Sequence, residues 1–256
     1  MSWSYVTIDR QPPLAIVRFD RHGNLNAFNQ QLVRELTEAA REFHDDLDIH
    51  YVVLAGAAEA FSAGADLKDV ASWQLAEKTD VQRRHRFYAG VRLCKAWEQM
   101  PQITIAAMER MAVGAGVAIA LACDWRVLGR GAFLYVPEVK IGLNLQWGAL
   151  PRLVTLVGPA RAKRITLMAD KMDAATALDW GLVDELADDG RTVEVALAMA
   201  RKTAEMPPAT VRLMKEAINA TAGALHLATS YADADQSQLT SSFEAARTAR
   251  ERFGKR

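Results

Sequence analysis

The stretch Met111 to Asp124, MAVGAGVAIALACD, constrains this chain more than any other. Its first thirteen residues carry no charge and have to be buried, whereas a membrane-spanning helix needs about 18 or more such residues, so the run belongs inside a folded protein. Gly114 and Gly116 flank Ala115 where a turn leads into a helix predicted over Val117 to Cys123. Without a Cβ, the backbone here allows close approach, either of a ligand or of a neighbouring strand. A helix start also exposes unpaired N–H groups and the positive end of the peptide dipole, which would stabilise an oxygen gaining negative charge.

Half of the 256 residues are hydrophobic and 24% are charged, enough for one large core, or for a core with an appendage. Lys plus Arg and Asp plus Glu both number 31, so net charge points to neither a nucleic-acid nor a membrane partner. The opening MSWSYVTIDRQPP lacks the positive segment and apolar run of a secretory leader, which points to the cytoplasm. Cys94 and Cys123 make no disulfide framework, and the five histidines show no metal-ligand spacing.

In chain order, Tyr5 to Ile8 and Leu14 to Phe19 read as a strand pair turning at Gln11 to Pro13. Leu32, Leu36, Ala39 and Phe43 recur at helical spacing, with Asn26 or Asn29 as the cap, and Tyr51 to Ala55 is a further strand. Gly64, within Phe61 to Lys68, marks a second site of close backbone approach. Val91 to Trp97 is helical, and the basic run Arg83 to Arg86 is a solvated helix face or a phosphate site. Gln102 to Met108, Trp125 to Leu128 and Ala132 to Val136 read as strands, followed by Glu138, an exposed turn residue or a positioned base. Pro159 starts a helix through Met168, Asp173 caps a short one ending at Gly181, and Leu182 to Leu186 is extended. Beyond Arg191 the chain is helical, divided by Pro207 and Pro208, with one apolar stripe at Val211, Met214 and Ile218 and another at Leu239, Phe243, Ala246 and Phe253. The organisation expected is a core over residues 1–195 and a helical region over 196–256, packed on that core or on a partner subunit.

Five strings, in order, resemble the crotonase superfamily, also called the enoyl-CoA hydratase/isomerase family: RHGNLNAF from Arg21, FSAGADLK from Phe61, AVGAGVAIALACDWRVL from Ala112, PEVKIGL from Pro137 and ALDWGLVDEL from Ala177. The resemblance is weakest over Asp69 to Met100 and after about Thr221. It implies an α/β fold, a spiral of repeated ββα units with a C-terminal helical region that makes homotrimers, often paired into hexamers. It also implies an acyl-CoA thioester substrate, with coenzyme A as part of that substrate and no separate cofactor. By position the thioester oxygen would lie between the backbone N–H groups of Ala65 and Ala115, with Ala63, Gly64, Asp66, Leu67 and Gly114 around it and Leu25 from the early string. Glu138 would be the proton carrier. Arg21 and Lys68 stand near the motifs as contacts for the coenzyme A phosphates, as do Arg250, Arg252 or Lys255 of a neighbouring subunit, because relatives often carry basic residues where this chain has Gly23 and Glu59. All of these are equally read as ordinary solvated charges. Trp147 would wall the acyl pocket or pack in the core.

The departures from the family pattern bear on the reaction. Hydratases of the family use two glutamates, and the first of those positions is Ala118 here, leaving Glu138 alone. Dienoyl-CoA isomerases carry a second acid where this chain has Gln146. One carboxylate suffices to move a proton between two carbons, so the resemblance favours an enoyl-CoA isomerase shifting a double bond from the 3,4 to the 2,3 position. A hydratase working with one glutamate and a non-catalytic acyl-CoA binder are the alternatives. Dinucleotide binding through GAGVAI is disfavoured by bulky Ile119, and serine hydrolysis by the lack of GxSxG.

Overall fold

Apolar residues alternating with a period of two build the centre of the molecule, and the computed structural model describes residues 3–69 and 78–253. The strands in chain order are β1 (Val6–Gln11), β2 (Leu14–Phe19), β3 (Tyr51–Ala55), β4 (Ile103–Met108), β5 (Met111–Val113), β6 (Trp125–Gly129), β7 (Phe133–Tyr135), β8 (Met172–Asp173) and β9 (Glu185–Ala187). One sheet has the order β1-β2-β3-β4-β6-β9, with β1 antiparallel to β2 and the other pairs parallel; a smaller sheet has the order β5-β7-β8. Val52, Leu54, Ala106 and Met108 enter the main core with residues of α1 (Gln30–Glu42), whereas Tyr51, Val53, Ile103 and Ile105 form a second core on the other face. Burial on both faces is what parallel strands require.

Two successive turns each place one strand in the large sheet, one in the small sheet and then a helix, β4 and β5 in the first and β6 and β7 in the second. Following α1, the helices α2 (Asp80–Phe87) and α3 (Ala89–Glu98) lead to β4, β5 and α4 (Ala115–Ala120). The next turn, β6 and β7, is followed by α5 (Ala149–Lys163), and α6 (Ala174–Asp179) precedes β9. This is the α/β spiral expected from the five strings. Asn29, not Asn26, caps α1, its side chain accepting from Leu32 N at 2.8 Å. Buried Asn26 instead accepts from Arg21 N at 2.9 Å and donates to the carbonyls of Phe19 and Phe61 at 2.9 and 3.1 Å.

Three local expectations shift for tertiary reasons. Met111–Val113, to which no element was assigned, is a strand paired in parallel with β7, and Ser62 bridges its other edge: Ser62 N donates to Met111 O and Val113 N to Ser62 O. Helix α4 therefore starts at Ala115 and ends at Ala120, earlier than Val117 to Cys123. The expected start at Pro159 is an internal restart, since α5 begins at Ala149 and breaks at Gly158, whose φ is 76°. Asp173 caps α6 as expected, accepting from Thr176 N at 2.7 Å.

The helical remainder comprises α7 (Thr192–Thr203), α8 (Pro208–Ala222), α9 (His226–Ser230), α10 (Asp233–Ser242) and α11 (Glu244–Phe253). Residues 195 and 196 fall inside α7, which lays Ala196 and Ala200 on the second core. Helix α8 meets the spiral through buried Lys215, whose ammonium reaches Asp124 at 2.7 Å and Gln102 O at 2.6 Å. On the same helix Met214 and Ile218 are exposed, 59% and 58%. Leu239 and Phe243 are also exposed, and Ala246 is buried. No described helix is long and apolar enough to cross a membrane.

Asn26 ties the end of β2 to the segment that carries Gly64, so Asn26→Ala should cost about 2–3 kcal/mol, roughly one for each hydrogen bond lost. Urea unfolding of wild type and variant measures this, and a loss below about 0.5 kcal/mol would contradict the bridging role.

Candidate active site

Two backbone segments run side by side to make one wall of the site. Residues 61–65 follow 111–115, held by Phe61 N to Glu109 O at 2.9 Å, Ser62 N to Met111 O at 3.1 Å and Val113 N to Ser62 O at 2.9 Å. Gly116 makes this approach possible, because a Cβ there would lie 2.9 Å from Ser62 Cβ. The same alignment sets Gly64 beside the start of α4: a Cβ added at Gly64 would stand 3.0 Å from Val113 O and 3.8 Å from Ala115 N. Among the described residues no acceptor is paired with Ala65 N–H or with Ala115 N–H, the first residue of α4.

Ala65 and Ala115 line one cleft of about 800 Å³ together with Glu138, Ala118 and Trp147. Ala63, Gly64, Leu67 and Gly114 line it too. Glu138 opens a single 3-10 turn, Glu138–Ile141, after Pro137. Its carboxylate lies over Gly114, where an added Cβ would be 2.5 Å from Oε1, and the φ of +48° at Gly114 also suits glycine. Glu138 Oε2 is sealed from solvent and accepts no hydrogen bond within the chain. Burial pushes the carboxyl up to about 7, against the smaller lowering effect of its own backbone N–H. Glu138 is thus a positioned group, and among the described residues it is the one carboxylate lining this cleft. At the position of the missing second glutamate, Ala118 lines the same cleft with a methyl group.

The remaining candidates divide. Asp66 lines an adjoining cleft and is bound to Arg21, whose Nη1 reaches Asp66 Oδ2 at 2.7 Å and Ala27 O at 2.7 Å. The expectation of Arg21 as a phosphate contact is therefore corrected: its guanidinium is buried and serves to join the early loop to the Gly64 segment. Lys68 is exposed and donates its backbone N–H to Asp66. Leu25 lies in a separate cleft with Gly23 and Glu59, and its carbonyl accepts from Ala63 N at 2.9 Å. In the basic run, Arg84 is held by Asp235 at 3.2 Å, which makes this helix face a contact with α10. Lys255 lies outside the described residues, as do the side chains of Arg250, Arg252 and Phe253.

Sequence reading did not single out Ile141, Leu143 and Leu145, which line the cleft beyond Glu138. Their signal was present as apolar residues at every second position from 141 to 145. Tyr135 was also missed: it lines the cleft, and its carbonyl accepts from Gly114 N at 2.8 Å. Trp147 is both wall and packing residue, with its ring edge-on to Phe28 at 5.8 Å.

A family model described as enoyl-CoA hydratase/isomerase matches residues 9–254. A probable enoyl-CoA hydratase of Mycobacterium bovis is 32% identical over 222 residues, covering 86% of this chain and 82% of that protein. A short-chain-enoyl-CoA hydratase of Clostridium acetobutylicum is 30% identical, with coverage of 86% and 82%. Among solved structures, an enoyl-CoA hydratase from Bacillus anthracis superposes with a TM-score of 0.77 at 31% identity, covering 84% of this chain and 82% of that one.

Raised from an ordinary 4.5 to about 7, the Glu138 carboxyl holds its proton more tightly folded than unfolded. Its contribution to stability is complete below the unfolded value and is lost as pH rises through the folded one. Glu138→Gln, which cannot ionise, should therefore gain stability relative to wild type by about 2 kcal/mol between pH 5 and pH 8. Urea unfolding at both pH values measures this, and an offset that does not change with pH would refute the raised carboxyl.

Proposed function

The chain belongs to the enoyl-CoA hydratase/isomerase family, and from that premise we propose that it is an enoyl-CoA isomerase in which Glu138 alone carries the proton. The observation behind this reading is a buried carboxylate, its Oε2 without a partner in the chain, in the same cleft as two backbone N–H groups unpaired among the described residues, with Ala118 where a second acid would stand. The thioester oxygen accepts from Ala65 and Ala115. Glu138 takes a proton from the α-carbon of a 3-enoyl thioester, the electrons of that C–H bond pass to the carbonyl oxygen, and a dienolate conjugated with the 3,4 double bond forms. Protonation of the α-carbon regenerates the starting 3-enoyl thioester, whereas protonation of the γ-carbon moves the double bond and gives the 2-enoyl isomer. In the forward direction Glu138 removes the α-proton and returns it to the γ-carbon, leaving the double bond at the 2,3 position. Each N–H at such an oxygen is worth about 3–4 kcal/mol in the transition state. A carboxyl near pH 7 supplies both protonation states under neutral conditions, as a group that first takes and then gives a proton requires.

A second reading, hydration of a 2-enoyl thioester, is favoured by Gln146. It lines the same cleft, its Nε2 is held by Ser237 Oγ at 2.8 Å, and its buried Oε1 accepts nothing within the chain. Two unused acceptors, Glu138 Oε2 and Gln146 Oε1, suit the two hydrogens of one water. The hydratase names of the relatives point the same way. Assembly into trimers would cover the exposed Met214 and Ile218 of α8, which line a broad apolar cleft with Leu121 and Trp125.

Proton NMR of the protein with 2-enoyl and 3-enoyl thioesters of coenzyme A in deuterated water separates the readings. Isomerisation moves the double bond with deuterium entering at the α- or γ-carbon and no hydroxyl product, is lost in Glu138→Gln, and survives in Gln146→Leu. A 3-hydroxyacyl product that depends on both residues would make the protein a hydratase. Binding without exchange or turnover would make it an acyl-CoA binder.

A further inference from the structure

Trp147 stands between two clefts. The first, about 800 Å³, holds Glu138, Ala65 and Ala115; the second, about 750 Å³, is lined by the apolar Phe28, Val33, Phe87 and Ala89 and also by polar side chains, Asp66 and Arg86 among them. Ala65, Leu143, Gln146 and Trp147 line both, so the indole belongs to their common wall. Two neighbours fix its position. Phe28 meets the ring edge-on at 5.8 Å, and Gly90 is so close that an added Cβ would fall 1.9 Å from the indole.

The backbone is fastened as firmly. Arg152, held by both oxygens of Glu98 at 2.7 and 2.8 Å, donates to Trp147 O at 3.0 Å. Asp233 accepts from the next residue, Gly148 N, at 2.7 Å. Trp147 itself has a φ of +66°, a left-handed conformation unfavourable for a bulky side chain. A large aromatic is thus kept in a backbone state better suited to glycine, against a helix position that tolerates no side chain.

We propose that Trp147 is a fixed partition that sets the length of acyl chain the site accepts. The inference rests on the acyl-CoA reading above. With the thioester oxygen at Ala65 and Ala115, the acyl chain runs past Glu138 towards the indole face and ends there, which selects short acyl groups of about four carbons. The second cleft is a blocked extension of the same pocket and is opened by removing the indole.

The test compares Trp147→Gly and Trp147→Phe with wild type on straight-chain enoyl-CoA substrates of four to ten carbons, measuring kcat/KM and, by calorimetry, the affinity for the saturated thioesters. Glycine suits the left-handed backbone, and circular dichroism with thermal melting confirms that each variant is folded. Wild type should prefer four carbons, and Trp147→Gly should raise the ratio of eight-carbon to four-carbon kcat/KM at least about tenfold, with tighter binding of the longer thioester. Trp147→Phe should fall between. A folded Trp147→Gly with an unchanged ratio, or a wild type that already favours eight carbons, overturns the partition while leaving the acyl-CoA reading intact. Failure of all the proteins to bind or turn over any thioester overturns that reading, and the partition with it.

Discussion

The site depends on one close approach of backbone to backbone, that of residues 61–65 against 111–116. Ser62 is the hinge of it: its N–H and carbonyl pair with Met111 and Val113, its side chain accepts from Gly64 N at 3.0 Å, and Gly116 lies against its Cβ. Hydrogen bonds used in this way align the two chains while leaving the N–H groups of Ala65 and Ala115 unspent. A side chain larger than hydrogen at residue 116 would force the segments apart, and the two donors with them. The small residues of the Gly114 run therefore serve intramolecular packing and ligand binding together, and the two explanations first offered for them are parts of one arrangement.

Glu138 occupies the other side of the cleft under a different constraint. A buried carboxyl without a partner is destabilising in its charged form, and proteins retain such a group where its chemistry is used. Ala118 and the apolar residues of the 141–145 loop line the cleft around the carboxyl, and its burial is what lifts its proton affinity into the neutral range. Ala118 thus presents a methyl group, and no acid, to the cleft that it shares with Glu138.

Much of this was legible in the sequence because it rests on local patterns. The strands Leu14–Phe19 and Tyr51–Ala55 follow from β-branched and apolar runs bounded by turn residues, and the cap at Asp173 from its place before a helical segment. The family strings located Gly64, Ala65, Gly114, Ala115 and Glu138, which the fold gathers at one cleft. What escaped was set by partners distant in sequence. The strand Met111–Val113 exists because Phe133–Tyr135 pairs with it, and Arg21 is withdrawn from solvent by Asp66. The stripe on α8 faces outward at Met214 and Ile218 because Lys215 has an anion to reach in Asp124. Charge alone could not distinguish a phosphate anchor from an internal ion pair.

Helix α10 fastens the loop that follows Glu138 at three points: Asn144 donates to Asp233 O at 3.1 Å, Asp233 accepts from Gly148 N, and Gln146 donates to Ser237 Oγ. The pocket wall and the helical tail are consequently members of one cooperative unit. Whatever occupies the cleft lowers the probability that the tail detaches, and whatever holds the tail in place raises affinity at the cleft by the same factor. The last part of the chain is in this sense a thermodynamic component of the binding site, although most of its residues never meet the ligand.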